Sequence, residues 1–310
     1  MSVAADSRAP ADARSARSLV RIRREINDPE KRAAYLMVLP ALLVILLIAA
    51  WPVLYNAWLS FQQILPAERS FIGLDNYVQM FTDGVFFRAL LNTVIFTVCS
   101  VAIEFTLGLG IAVVLNRGFV GQGITRAIAI VPWAFPTVVS GIMWRLMYQD
   151  QVGILAYWGE KLGLVSGPVL ANENAVLVGA ILSDVWKTTP FVALLLLAGL
   201  QVISPDVYEA ARVDGAKAWQ QFTRITLPLL KPAILVALLF RTLDAYRVYD
   251  LFWVLSDRQL DSLSTYTFEF VRISEANQGR GPAASVFVFI SSLVIALVFI
   301  RVFGTRAQEA

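Results

Sequence analysis

Two clusters of charge sit where apolar sequence surrounds them. The segment DVWKTTPF places Asp184, Lys187 and Thr188 inside one long hydrophobic run, and RTLDAYRVYD places Arg241, Asp244, Arg247 and Asp250 inside another. A charge near the centre of a bilayer costs on the order of 2.5–3.5 kcal/mol, so such a side chain faces a cavity or a partner. Asp184 and Lys187 lie three residues apart and share a helical face, as do Arg241, Asp244, Ala245 and Val248. Continued steps of three drift around a helix, which predicts that Arg247 and Asp250 turn away and sit nearer the outer end. Counting about 1.5 Å per residue from Pro232 puts Arg241 near mid-membrane. Acids, cations and a hydroxyl at one depth, with Trp186, Phe191 and Tyr246 nearby, suit a polyhydroxylated ligand. Its hydroxyls need donors and acceptors, and its ring face needs an apolar surface. The alternative is structural: Asp184 with Arg241, or Lys187 with Asp244, neutralising each other between two helices.

The elements that must hold these residues are membrane spans. The 310 residues are 57% hydrophobic and 16% charged, against roughly 25% charged in a soluble domain. Stretches of about 20 apolar residues cross a hydrocarbon core. Six are present, at about 34–59, 89–115, 124–147, 175–202, 232–255 and 283–302, which predicts an all-α polytopic membrane protein. There is no histidine, and the one cysteine, Cys99, lies in an apolar run. An internal disulfide and a Cys/His metal site are therefore excluded. Glu104, inside the second span, reads as a packed residue or one paired across an interface with another subunit, and less readily as a proton relay. Arg145 and Asp150 read as interfacial groups that snorkel to water.

Orientation follows from the basic residues flanking the spans. Sixteen Lys and Arg fall on the side of the N-terminal tail and six on the other, which predicts that both termini are cytoplasmic. Residues 1–30 read as a disordered basic cytoplasmic tail, 31–303 as the transmembrane domain and 304–310 as a short cytoplasmic tail. The modest net charge of +3 follows the spans instead of forming a patch, so nucleic acid is not an expected partner.

On the same cytoplasmic side, between spans four and five, lies YEAARVDGAKAWQQFTRITLPLL, from Tyr208 to Leu230. Ser204, Pro205 and Asp206 form a helix-start signal, and Asp214-Gly215 offers a stop. A second short helix is predicted from the recurrence of Ala218, Trp219, Phe222 and Ile225, ending at Leu227-Pro228 before the next span. The spacing Glu209-Ala210-Ala211, three residues, Gly215, nine residues, Ile225, one residue, Leu227-Pro228 resembles the EAA loop of ABC-importer membrane subunits. FIGLDNYVQMF, LNTVIFTV, LNRGFVGQGITRAIAIVPWAFPTVVSGIMWRLMY and DVWKTTPFVALLLLAGLQVISPDVYEAARVDGA extend the resemblance, as does LLFRTLDAYRVYDLFWVL. Over roughly Tyr35 to Val302 the chain is similar to permeases of the maltose/trehalose type. It departs from them after span five, reading LSDRQLDSLSTY where a Thr-Gly-Gly-Gly-Pro-like turn is common.

The resemblance implies the type I ABC-importer permease fold, with a cytoplasmic coupling helix in the loop at 204–228. It implies Glu209, Ala210, Ala211, Asp214 and Gly215 as contacts of a cytoplasmic ATPase dimer. It further implies a second homologous permease, an extracytoplasmic substrate-binding protein and a bacterial or archaeal cytoplasmic membrane. It assigns Asp184, Lys187, Thr188, Phe191, Arg241, Asp244, Ala245 and Val248 to a sugar, trehalose or maltose being favoured and glycerol phosphate or another polyol an alternative. The chain carries no G-x-x-x-x-G-K-[ST] loop, so ATP and Mg are expected on the partner ATPase and no cofactor here. A reading from another class is an ion-coupled secondary transporter using Glu104, Asp184 and Asp244; a membrane scaffold without a transport cavity is a third.

Overall fold

The structure, a computed structural model, describes residues 29–65, 68–163, 167–257, 259–273 and 278–304. The basic tail expected at residues 1–30 lies almost wholly outside them, as does the C-terminal tail beyond Gly304. The chain forms two units, residues 1–58 and 59–310. In the first, α1 (Ala33–Leu59) is long and apolar enough to cross a membrane. It carries a π-helical turn at Leu46–Ala50, just ahead of Pro52, whose missing N–H leaves a carbonyl in that turn without its usual donor.

The second unit opens with an antiparallel hairpin, β1 (Gln62–Ile64) and β2 (Arg69–Phe71), with Gln62 opposite Phe71. Helix α2 (Asp75–Thr82) is tied back to it by Asn76, whose amide donates to the carbonyls of Ser60 and Gln62 at 2.8 Å each. Two long helices follow that together form the spine: α3 (Gly84–Leu115), capped by Asp83, and α7 (Glu173–Gln201), capped by Asn172. Gly108 lets them approach. A β-carbon there would lie 2.9 Å from Val192 Cγ1 and 3.2 Å from the Ala193 nitrogen.

Between them the third expected span, 124–147, is not one straight helix. Helices α4 (Gln122–Ala134) and α5 (Thr137–Tyr148) meet at 87°. Pro136 is the cause: its ring excludes the helical conformation of the preceding residue, and Phe135 is extended at φ −71°, ψ 135°. Among the described residues the candidate spans are therefore five continuous helices, or six with this bent pair counted as one. A short helix α6 (Ile154–Lys161) leads on to α7.

After α7 comes α8 (Pro205–Val213), then α9 (Ala218–Tyr246), α10 (Asp250–Ser256), α11 (Leu263–Phe268) and α12, which starts at Arg280 and is helical to Phe299. Two expectations are corrected here. Leu227-Pro228 does not end a short helix: α9 runs through it, because a π turn at Phe222–Thr226 precedes Pro228 and absorbs its missing donor. The fifth span also does not continue to 255; α9 stops at Tyr246, and Arg247 and Tyr249 take non-helical backbone angles before α10 begins.

Phe96, Tyr148, Val176, Leu251 and Phe252 build one apolar core among α3, α5, α7 and α10. Leu196, Leu200 and Leu230 build another beneath it, where α3, α7 and α9 meet. Met80, Phe86, Tyr266 and Ala284 join α2, α3, α11 and α12. Because the α3–α7 contact is so close, Gly108→Val is expected to lower stability by about 1–3 kcal/mol. Gly110→Val, where the added atom meets open space, should leave it nearly unchanged. Thermal unfolding of the detergent-solubilised variants checks this pair.

Candidate functional site

Arg241 on α9 is 2% exposed and sits among three carboxylates from three helices. Its Nε and Nη2 form a fork on Glu104 of α3, the second bond being 2.9 Å. The same Nη2 reaches Asp184 of α7, and Nη1 donates to Asp244, one turn on in α9, at 2.8 Å. Thr188 Oγ1 completes the set, 2.7 Å from Glu104 Oε1 and 2.6 Å from the Asp184 carbonyl. Glu104 is fully buried and Asp184 nearly so. A desolvated carboxylate persists only where donors surround it, and here a planar guanidinium and a hydroxyl supply them.

This geometry revises the readings of the charged residues. Glu104 is not free for an interface with another subunit; it pairs within its own chain. Asp184 does neutralise Arg241, as the structural alternative holds. Asp244 pairs with Arg241 instead of Lys187, yet its side chain remains 75% exposed. Beside the cluster opens a cavity of about 150 Å³, and Asp184, Lys187, Thr188, Arg241, Asp244, Ala245 and Val248 all line it. Phe191 does not: its ring stacks on Trp133 of α4, with centroids 5.5 Å apart.

Arg247, Tyr249 and Asp250 line the same cavity, contrary to the expectation that Arg247 and Asp250 turn away. That expectation assumes a continuous helix. With α9 ended at Tyr246, the chain folds back across the opening and presents all three. Lys187, Arg247 and Asp250 hold no ion pair among the described residues. The charged groups available to a ligand are thus Lys187, Arg247, Asp250 and the exposed edge of Asp244, with Tyr249 in the wall beside them. Toward the end of α9 remote from α8, Arg145 is not simply in water; it pairs with Asp257 at 3.1 Å and donates to the Val254 carbonyl. Asp150 accepts from the Val169 amide at 3.0 Å.

At the other end of α9, α8 forms as the sequence predicts. Ser204 caps it, accepting from the Asp206 amide, with Pro205 in the first turn. At its far end Gly215 is left-handed, φ +80°. The amides of Gly215 and Ala216 return to the carbonyls of Arg212 and Ala211 at 3.0 and 2.9 Å, the double closure of a glycine-stopped helix. Glu209, Ala210, Asp214 and Gly215 are exposed and Ala211 half-buried. Glu209 reaches Arg212 at 3.6 Å across the surface, a contact worth little in water. The exposed Val207, Val213 and Trp219 add apolar surface around α8.

Residues 104–307 match the family model described as the inner membrane component of binding-protein-dependent transport systems. The chain is 40% identical over 282 residues to the trehalose transport system permease protein SugA of Mycobacterium tuberculosis, covering 90% of this chain and 91% of that one. It is 39% identical over 280 residues to the trehalose/maltose transport system permease protein MalF of Thermococcus litoralis, with coverage of 88% and 94%. Among solved structures it is similar to a chain of a bacterial ABC transporter involved in the import of the acidic polysaccharide alginate. The TM-score is 0.75 at 26% identity, covering 92% of this chain and 99% of that chain.

Removing one partner of a buried ion cluster leaves the other uncompensated, at a cost of about 3–5 kcal/mol. Glu104→Ala is therefore expected to lower the melting temperature of the purified protein sharply, and Asp244→Ala, at the exposed edge, much less. Equal shifts would show that Glu104 does not hold the cluster.

Proposed function

Because this chain belongs to the inner-membrane component family of binding-protein-dependent transport systems, we propose that it is the permease subunit of an ATP-driven sugar importer. Trehalose or maltose is the favoured cargo. The observation that carries this reading is the polar cavity at the α7–α9 contact of an otherwise apolar chain. Its lining holds unpaired groups of both charges, with an aromatic ring in the wall beside them, the mixture that binds a polyol.

The cavity is smaller than the roughly 300–1,000 Å³ of a small-molecule site. One chain then supplies part of the wall, and a second permease completes it. An extracytoplasmic binding protein delivers the sugar. A cytoplasmic ATPase dimer, which holds ATP and Mg, engages α8 through Glu209, Ala210, Ala211, Asp214 and Gly215. Both termini and α8 lie on the cytoplasmic side of the membrane, in the orientation that the flanking Lys and Arg support.

In this mechanism Arg241, Glu104 and Asp184 do not grip the sugar directly. They fix α3, α7 and α9 together and hold the Asp244 carboxylate at the cavity edge, where its exposed oxygen accepts a sugar hydroxyl. Lys187 and Arg247 donate to other hydroxyls and Asp250 accepts, while Tyr249 forms part of the wall beside them. Lys187 and Arg247 also favour a second reading, a phosphorylated polyol such as glycerol phosphate, whose anion would pair with both. Competition between that ligand and a neutral disaccharide separates the two.

Asp244→Ala is expected to cut uptake by about tenfold, the loss of roughly one charge-assisted hydrogen bond, while the ATPase still associates. The measurement is uptake into membrane vesicles supplied with ATP and with ion gradients collapsed. Uptake that vanishes with the gradient would instead support an ion-coupled transporter.

Gly215→Leu forces a side chain into a left-handed position, a cost of order 1–2 kcal/mol. It is expected to weaken sugar-stimulated ATP hydrolysis by the assembled complex, without changing sugar binding to the delivering protein. Unchanged stimulation would remove α8 from the coupling role.

A further inference from the structure

A second cavity lies beyond the end of α9 remote from α8. It encloses about 290 Å³ and is lined by Trp253 of α10, Leu260 and Asp261 of the following link, Thr265 of α11, and Glu269. Leu260 and Thr265 are buried and form its floor. Trp253 stands in a cluster of rings: it stacks on Tyr249 at 5.7 Å and 23°, and meets Phe268 edge-on at 5.1 Å. Tyr249 lies 5.2 Å from Phe268 and is itself a wall residue of the central cavity. The two cavities are thus joined by a ring pair, one ring on each wall.

The polar lining of this outer cavity is of one kind. Asp261 keeps its carboxylate in place by accepting from Thr265 Oγ1 at 3.3 Å. Glu269 has no hydrogen-bond or ion-pair partner among the described residues. None of the described residues lining it is a cation, although Arg88 stands near enough to act on Asp261. Burial raises the Asp261 carboxyl above its usual range; the Thr265 hydrogen bond opposes this, the like charges of Glu269 and Glu173 add to it, and the Arg88 guanidinium works against it. Two acceptors beside an indole face match a hydroxyl-bearing ring with apolar C–H faces.

We propose that this outer cavity is a second sugar subsite, favouring neutral over acidic sugars, which receives substrate before the central cavity does. Trp253 is its stacking platform, and Asp261 and Glu269 accept ring hydroxyls. The inference rests on the transport reading above and narrows it: the carboxylates disfavour acidic sugars and phosphorylated polyols at the entrance, although Lys187 and Arg247 would tolerate them further in.

The test is uptake of radiolabelled trehalose and maltose by vesicles containing the complete transport complex. Glucuronate serves as an acidic competitor and choline as a cationic one. Trp253→Ala and the double variant Asp261→Asn with Glu269→Gln are compared with the wild type. The variants are expected to need about tenfold more sugar for half-maximal uptake, with the maximal rate changed less than about twofold. Trp253→Phe, which keeps a ring, should recover most of the affinity. In the double variant glucuronate should begin to compete.

Unchanged concentration dependence in both variants overturns the subsite. So does wild-type uptake inhibited by glucuronate or choline as strongly as by unlabelled maltose. Loss of maximal rate alone, with no change in half-saturation, also overturns it, because that is the mark of damaged packing around the rings. If the wild type carries neither sugar, the transport reading itself fails, a result distinct from all of these.

Discussion

A guanidinium taken out of water must be surrounded by acceptors, and in this molecule that requirement sets the arrangement of the three central helices. Arg241 has five N–H donors and almost no exposure. Glu104 takes two of them, and Asp184 and Asp244 take others. These carboxylates come from α3, α7 and α9, so the cluster is satisfied only when all three helices are in register. Gly108 supplies the steric half of the same constraint, since α3 approaches α7 closely enough for Glu104 to reach its partners only where no side chain intervenes. Charge pairing and close packing act on one contact.

Several irregularities of the helices arise from proline and are turned to shape. Pro136 bends α4 against α5, and that bend brings Trp133 onto Phe191. Pro228 is preceded by a π turn and does not break α9. The break that matters most has no proline at all. After Tyr246 the chain leaves the helix for three residues, and those residues close one side of the central cavity. An uninterrupted helix would have carried Arg247 and Asp250 round to other faces.

The legible parts of the sequence are those written in local signals. Ser204-Pro205-Asp206 and Asp214-Gly215 bracket α8 where it is found, because capping and left-handed glycine are properties of a few adjacent residues. The polar faces of Asp184–Lys187 and Arg241–Asp244 are legible for the same reason, as helical spacing in an apolar run. The bend at Phe135-Pro136 carries a local signal too, which a count of apolar residues overlooks. Glu104 is different: 137 residues separate it from Arg241, and nothing in its own span states which helix it will meet. The end of α9 is equally hidden, since Tyr246 to Leu255 remains aromatic and apolar enough to continue a span. Phe191 lies away from the central cavity for the reverse reason. Its spacing fits the polar face, but Trp133 offers it a better neighbour.

Consider last the hydroxyl contact between Tyr208 and Thr226, 3.0 Å apart. It joins the surface helix α8 to the last residue of the π turn in α9, and from Thr226 to Arg241 the axis climbs roughly 22 Å at 1.5 Å per residue. A helix transmits axial displacement with little loss. If α8 has the coupling role proposed above, work delivered there would reach the buried guanidinium as motion of the whole rod. Since Arg241 is fastened to α3 and α7, that motion is shared among three helices instead of shearing one past its neighbours. The backbone breaks, the 87° corner before α5 and the short unwound stretch after Tyr246, lie outside that rod. Both of those border the chamber where cargo would rest.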